Sequence, residues 1–361
     1  MKKLLIYISI VSGFLFQSCI NDNEDPVAVS GVGDVKSPAV GGATEPNQVW
    51  FDLSSGQETM NRRTDWDLAF YSGNSFKVIL NPSILMAAAK IPNITDINLV
   101  KESDVAELKT KVQVANFDPT NVNYVDDVKG NFPTGYTAIS EISPNDSDNA
   151  VYLVNLGKNI FEGDVPAGSV LHSGTDRGWM KIQITRSGNS AYKIKYAEIA
   201  DTKYKEYIIT KDTDHNFSFF SLKNDRELLI QPQKEKWDLC FTVFTNVIEG
   251  AGTYIYADFV LSNLLGGVAA YEVKVTAPTT GAEAYNNFTA NDLDASKFIT
   301  DDHRVIGGNW RNPVGTNGLE VYGDRFYVIR DAEGFYFKLR FLRMTSTSGE
   351  RGHPQFEYKP L

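Results

Sequence analysis

The sequence predicts a mostly β protein, organised as two tandem antiparallel β domains with a few short helices. Three observations carry this. Short runs of aromatic and β-branched residues alternate with polar ones along the chain, each bounded by Gly, Asn, Asp or Pro, as strands separated by turns should be. Only two stretches have helical spacing. The order of four strand-like elements also occurs twice, which makes a duplication the organising feature.

Taken in order, the chain opens on a leader. Met1-Lys2-Lys3 gives a basic start, Leu4 to Phe16 an apolar core, and Phe16-Gln17-Ser18 runs into Cys19. The apolar run is shorter than the roughly 20 residues that cross a bilayer. Residues 1–18 therefore read as a lipoprotein signal peptide, with Cys19 acylated and first in the mature chain. Residues 19–46 begin INDNED and continue rich in Pro, Val, Ala, Gly and Ser. Such a segment buries too little apolar surface to offset its ordering entropy, so a flexible tether is expected there. Acidic residues directly after the lipid-bearing cysteine resemble the surface-export signal of Bacteroidetes lipoproteins. That resemblance implies outer-membrane attachment through the lipid anchor only, with the folded part facing the cell exterior.

The body, expected as domains 47–213 and 214–361, reads as strands. The clearest are 150–156, 179–184, 192–198, 204–209 and 335–342. Helical spacing occurs at Ser103 to Val112, through Val105, Leu108 and Val112, and an Ala-rich run at Ile84 to Lys90 also reads as helix. The repeat is specific in its order. Trp50-Phe51-Asp52-Leu53 precedes Asp65-Trp66-Asp67-Leu68-Ala69-Phe70, and Phe219-Phe220-Ser221-Leu222 precedes Lys236-Trp237-Asp238-Leu239-Cys240-Phe241. Further on, Val151-Tyr152-Leu153-Val154 corresponds to Phe326-Tyr327-Val328-Ile329, and the strand after Gly178 to the strand after Gly334. Within each repeat, the two aromatic strands are expected to pair as a hairpin, Trp and Phe on one face and Asp on the other. Asp67 and Asp238 are therefore candidates for acid chemistry, but an Asp so placed more often accepts backbone hydrogen bonds from a neighbouring loop.

The formal net charge is −10, and loss of Lys2 and Lys3 with the leader takes it to −12. Without clustered Lys and Arg, nucleic acid is excluded as a partner. Once Cys19 carries lipid, Cys240 has no disulfide partner in the chain, and its alternating strand context marks a buried structural thiol. No phosphate loop, zinc helix, nucleophile elbow or Cys-x-x-Cys pair is present. No two carboxylates are singled out as a glycosidase pair, and no enzyme activity is expected.

The lipobox, the short acidic tether, an aromatic strand before a Trp-Asp-Leu strand, and late aromatic strands together resemble the HmuY family, haem-binding surface lipoproteins of Bacteroidetes. The likeness is clearest at residues 48–70 and recurs at 217–241 and 326–342, so each repeat is similar to one HmuY-like domain. The resemblance implies a non-catalytic haemophore that binds haem or a related porphyrin and passes it to a TonB-dependent outer-membrane receptor. It also implies two axial iron ligands, His or Met, between the Trp-Asp strand and the late aromatic strands, with no metal beyond the haem iron. In the first repeat that stretch holds Met86 and no His, and Met86, among Ile84, Leu85 and Ala87, also suits core packing. In the second repeat it holds His303, beside Asp301-Asp302, with His353 near the C-terminus. His303 and His353 are the leading ligand candidates, with His172 and Met86 behind them; His215 reads as linker. The alternative is a surface lipoprotein that docks a receptor, polysaccharide or host protein without haem.

Overall fold

The computed structural model describes residues 33–315 and 318–361. The leader, Cys19 and the first part of the expected tether lie outside the described residues. In chain order the first strands are β1 (Asp34–Lys36), β2 (Asn47–Phe51), β3 (Glu58–Arg62), β4 (Leu68–Tyr71), β5 (Val78–Leu80) and β6 (Ala87–Lys90). After helix α1 (Glu102–Lys111) come β7 (Val151–Asn155), β8 (Trp179–Arg186), β9 (Ala191–Glu198) and β10 (Lys205–Thr210). The chain continues through β11 (Phe217–Ser221), β12 (Arg226–Leu228), β13 (Leu239–Ile248), β14 (Gly252–Ser262) and β15 (Ala269–Lys274). Helix α2 (Gly281–Asn287) precedes β16 (Arg311–Gly315), β17 (Gly318–Val321), β18 (Arg325–Arg330), β19 (Tyr336–Thr345) and β20 (Arg351–Pro360). The fold is mostly β and wholly antiparallel in its strand pairs, with few short helices. Among the described residues no helix is long and apolar enough to cross a membrane.

The sheets are ordered β10-β9-β8-β7-β6, β1-β20-β19-β18-β15, β12-β11-β4-β5 and β14-β13-β2-β3, beside the β16-β17 hairpin. The expected hairpin between the two aromatic strands of one repeat does not form. The gap between Leu53 and Trp66 contains β3, which folds back on β2 in the register Asn47↔Arg62. That leaves the other edge of β2 to β13 of the second repeat, and β11 of the second repeat to β4 of the first. Both exchanged pairs keep the same register: Phe51↔Leu239 and Trp50↔Cys240 match Phe220↔Leu68 and Phe219↔Ala69. Three sheets thus draw strands from both sides of the 213/214 position. The cores follow the sheets. One gathers Leu68, Phe70, Ile182 and Tyr192 with Phe220 and Leu222; the other gathers Val49, Phe51 and Leu53 with Leu239, Phe337 and Phe356.

Two local expectations are corrected. The tether ends earlier than residue 46. β1 pairs with β20, Val40 and Ala43 are buried, and the Arg63 guanidinium binds the Thr44 and Glu45 carbonyls. Gly42 and Gly352 meet backbone to backbone, so closely that a Cβ on Gly352 would stand 2.0 Å from the Gly42 carbonyl oxygen. A Gly-rich composition that suggests coil here serves close approach instead. Residues 84–90 are not helical: Leu85 has φ +62°, and Ala87, Ala88 and Ala89 form a buried strand paired to β7. Sheet pairing and burial override the helical propensity of alanine. The helix at α1 agrees with the Ser103 to Val112 reading. Helix α2 is announced in the sequence by a capping box, Thr280 accepting from the Glu283 N–H while Glu283 accepts from the Thr280 N–H.

Candidate functional site

The Trp-Asp-Leu segments build the centre of the molecule. Asp67 is fully buried, accepts from the Leu222 N–H at 2.7 Å and pairs with Arg177 at 2.6 Å. Asp238 is 2 % exposed and accepts from the Leu53 N–H at 2.8 Å and the Ala332 N–H at 2.9 Å. Each aspartate therefore clamps the turn after the aromatic strand of the opposite repeat, which accounts for its burial by structure. The two sites differ in charge balance. Asp67 has an arginine, whereas burial without one pushes the Asp238 carboxyl up to about 8.

On the opposite face each four-stranded sheet carries one aromatic pair, and both pairs join a single core cluster. Trp50 packs edge-on to Trp237 with centroids 4.7 Å apart, and Trp66 edge-on to Phe219 at 4.9 Å. These are equivalent pairs, because Trp50 corresponds to Phe219 and Trp237 to Trp66. Between them lies a predominantly apolar cavity with about 100 Å³ of room for the centres of water-sized molecules. Its walls include the three tryptophans, Phe217, Phe219 and Phe244, together with Met86, Cys240 and His303. Asp126 also reaches it; burial pushes its carboxyl up to about 7 although the Leu80 and Ala138 N–H groups donate to it.

His303 and Met86, which come from different repeats, are brought to this one cavity. The His303 ring packs edge-on to Phe244 (5.5 Å) and Phe132 (6.3 Å), and its Nε2 is 3.0 Å from the Val128 carbonyl oxygen. Burial lowers its pKa to about 4, so the imidazole is neutral at pH 7, the form a metal requires. The other candidates lie elsewhere. His353 is on β20, its Nε2 3.0 Å from Glu350. His172 sits in the loop before β8, its carbonyl accepting from Arg63 at 2.8 Å, and burial beside Arg63 and Arg351 takes its pKa to about 4. His215 donates its Nδ1–H to Asp212 at 2.8 Å, away from the cavity. Cys240 is buried, and burial raises its thiol pKa.

Sequence reasoning identified Met86 and His303 singly but missed the cavity, because the wall depends on strand exchange. It also missed three of the wall's polar residues: Gln231, Trp237 as a donor, and Thr245. The signal was present in the repeat, where Gln48 and Phe217 occupy corresponding positions.

A family model described as HmuY protein matches residues 44–358, in one span that crosses both repeats. Among solved structures, the chain is similar to apo PinO from Porphyromonas gingivitis at 10% identity and TM-score 0.32, covering 92% of this chain and 98% of that one. It is similar to the apo HmuY analog of Tannerella forsythia at 12% identity and TM-score 0.23, covering 91% and 95%. A protein described as a lipoprotein from Bacteroides fragilis aligns at 12% identity and TM-score 0.21, covering 48% of this chain and 91% of that one. No curated protein matches.

Proposed function

The chain belongs to the HmuY family, and from that premise we propose that it is a non-catalytic, lipid-anchored surface protein that captures haem or a related porphyrin. The haem then passes to a TonB-dependent receptor in the outer membrane. The observation that supports this reading is the meeting of His303 and Met86 at one aromatic-walled cavity. Imidazole and thioether are established axial donors for haem iron, and flat aromatic walls suit a macrocycle.

The donor chemistry fits haem, and the present volume does not. Pockets for drug-sized ligands run to roughly 300–1,000 Å³, so a porphyrin enters only when the cavity opens. Opening has an identifiable first step: the Val128–Gly130 segment must leave His303, freeing the Nε2 that now faces the Val128 carbonyl. Haemin titrated into the full-length chain is expected to give a saturable, sharpened Soret band, lost in His303→Ala and shifted in Met86→Ala. A broad change that never saturates would leave the family fold without the haem function.

A second reading, docking to a receptor, polysaccharide or host protein, is favoured by one surface feature. Phe117 is 68 % exposed beside Tyr254, ring centroids 6.1 Å apart, on a loop where Ala115 and Phe117 both hold positive φ. Strain kept to display an aromatic side chain is a mark of a contact surface. A chain that shows no saturable haemin binding, yet binds a cell surface and loses that binding in Phe117→Ser, would support docking.

A further inference from the structure

The cavity wall carries polar atoms that have no partner among the described residues. Among the buried side-chain atoms without a hydrogen-bond partner are Trp237 Nε1, Gln231 Oε1 and Thr245 Oγ1, and all three residues line this one cavity. Each is more than nine-tenths buried, at 6 %, 8 % and 3 % exposure respectively. Buried polar groups are ordinarily paired, and each exception calls for a cause.

The internal repeat supplies a control. Trp66, the counterpart of Trp237, donates its Nε1–H to Gln48 Oε1 at 2.8 Å, and Trp50 donates to Asn61 Oδ1 at 2.8 Å. The residue that corresponds to Gln48 in the second repeat is Phe217. One repeat thus satisfies its indole internally, and the other replaces the acceptor with a phenyl ring and leaves the indole facing the cavity.

We propose that this cavity binds a small aromatic molecule bearing a hydroxyl group, held by Trp237 and Gln231. The reasoning runs from complementarity. An indole N–H needs an acceptor and a glutamine carbonyl needs a donor; a hydroxyl is both. The edge-on rings of Trp50, Trp66, Trp237 and Phe219 offer faces and edges to another aromatic ring. A volume of about 100 Å³ admits one ring of benzene size or several waters, each of which needs only about 10–15 Å³ in this measure. Ligand and protein would then complete a set of hydrogen bonds that the first repeat completes alone. This assignment stands on the cavity and does not depend on haem binding.

The test uses the full-length chain without haemin, titrated with phenol and with toluene, followed by calorimetry and by quenching of tryptophan fluorescence. Toluene leaves water more readily than phenol, so a cavity without polar demand prefers toluene. The expected result is saturable phenol binding at least about tenfold tighter than toluene, the factor that corresponds to one net hydrogen bond. Gln231→Leu should reduce that preference. Phe217→Gln, which restores the acceptor found in the first repeat, should abolish it. Equal affinities, a preference for toluene, or binding of neither probe because the cavity holds only water would overturn the proposal.

Discussion

Asp238→Asn gives the sharpest test of how the two repeats handle the same buried carboxyl. The Asp238 carboxyl is held at about 8 in the fold, because it is desolvated and lacks the arginine that Asp67 has. In the unfolded chain an aspartate titrates near 3.9. Between these values the folded state holds a proton that the unfolded state has released. Stability from this group is therefore fully present below about pH 4 and is lost as pH rises towards 8. The slope for one proton is about 1.4 kcal/mol per pH unit, so wild type should lose on the order of 2–3 kcal/mol between pH 5 and 7 from this group alone. Asparagine cannot ionise, and it keeps an acceptor for one of the Leu53 and Ala332 N–H groups. Urea denaturation at pH 5, 6 and 7 reads the effect as the difference in slope between the two proteins. Asp126 and Glu45, also raised by burial, are present in both proteins and cancel in that difference. Parallel stability curves would refute the reasoning, since they would mean that Asp238 is solvated or paired in a way its neighbours do not allow.

The remaining predictions follow from the same geometry. Arg177→Met leaves Asp67 buried without its partner and should cost about 3–5 kcal/mol in chemical denaturation; pairing it with Asp67→Asn should recover much of the loss. Gly352→Ala puts a methyl against the Gly42 carbonyl at a residue with φ +74°. It should cost about 1–3 kcal/mol and speed hydrogen exchange at Val35 and Lys36 before the rest of the sheet. Cys240 should resist thiol reagents in the native state and react only on unfolding, and Cys240→Ser should destabilise by about 1–3 kcal/mol through an unpaired hydroxyl, measured by thermal unfolding.

Much of the secondary structure was legible because strands and the α1 helix carry their periods in local sequence. The alternation at 179–184 and 192–198 and the 3–4 spacing through Val105 and Leu108 survive intact in β8, β9 and α1. Partner choice was not legible. Trp50-Phe51 pairs as readily, by side-chain pattern, with the Trp-Asp-Leu strand of its own repeat as with the other one, and the decision rests on β3 occupying one edge of β2. The Ala-rich β6 was misread because its propensity is helical while its burial is decided by β7. The site shows the same division. His303 and Met86 stand out as donor types, whereas the cavity that unites them exists only after strands 171 or so positions apart exchange places, as Leu68 and Leu239 do.

The pairing of β1 with β20 places Asp34 beside Tyr358, so the first described strand completes a sheet made of the last ones. A contact spanning almost the whole chain is among the most costly to close entropically, and its formation cannot precede delivery of the C-terminal strand. Completion of this one sheet is therefore a ring closure rather than a progression from one end. A chain that stops between β19 and β20 leaves unpaired edges on β1 and β19 at once, whereas the β10-β9-β8-β7-β6 sheet already has all its strands. The last strand acts as the latch for β1, and a permutant that links Gly33 to Leu361 and opens near residue 213 should leave every strand pair among the described residues intact.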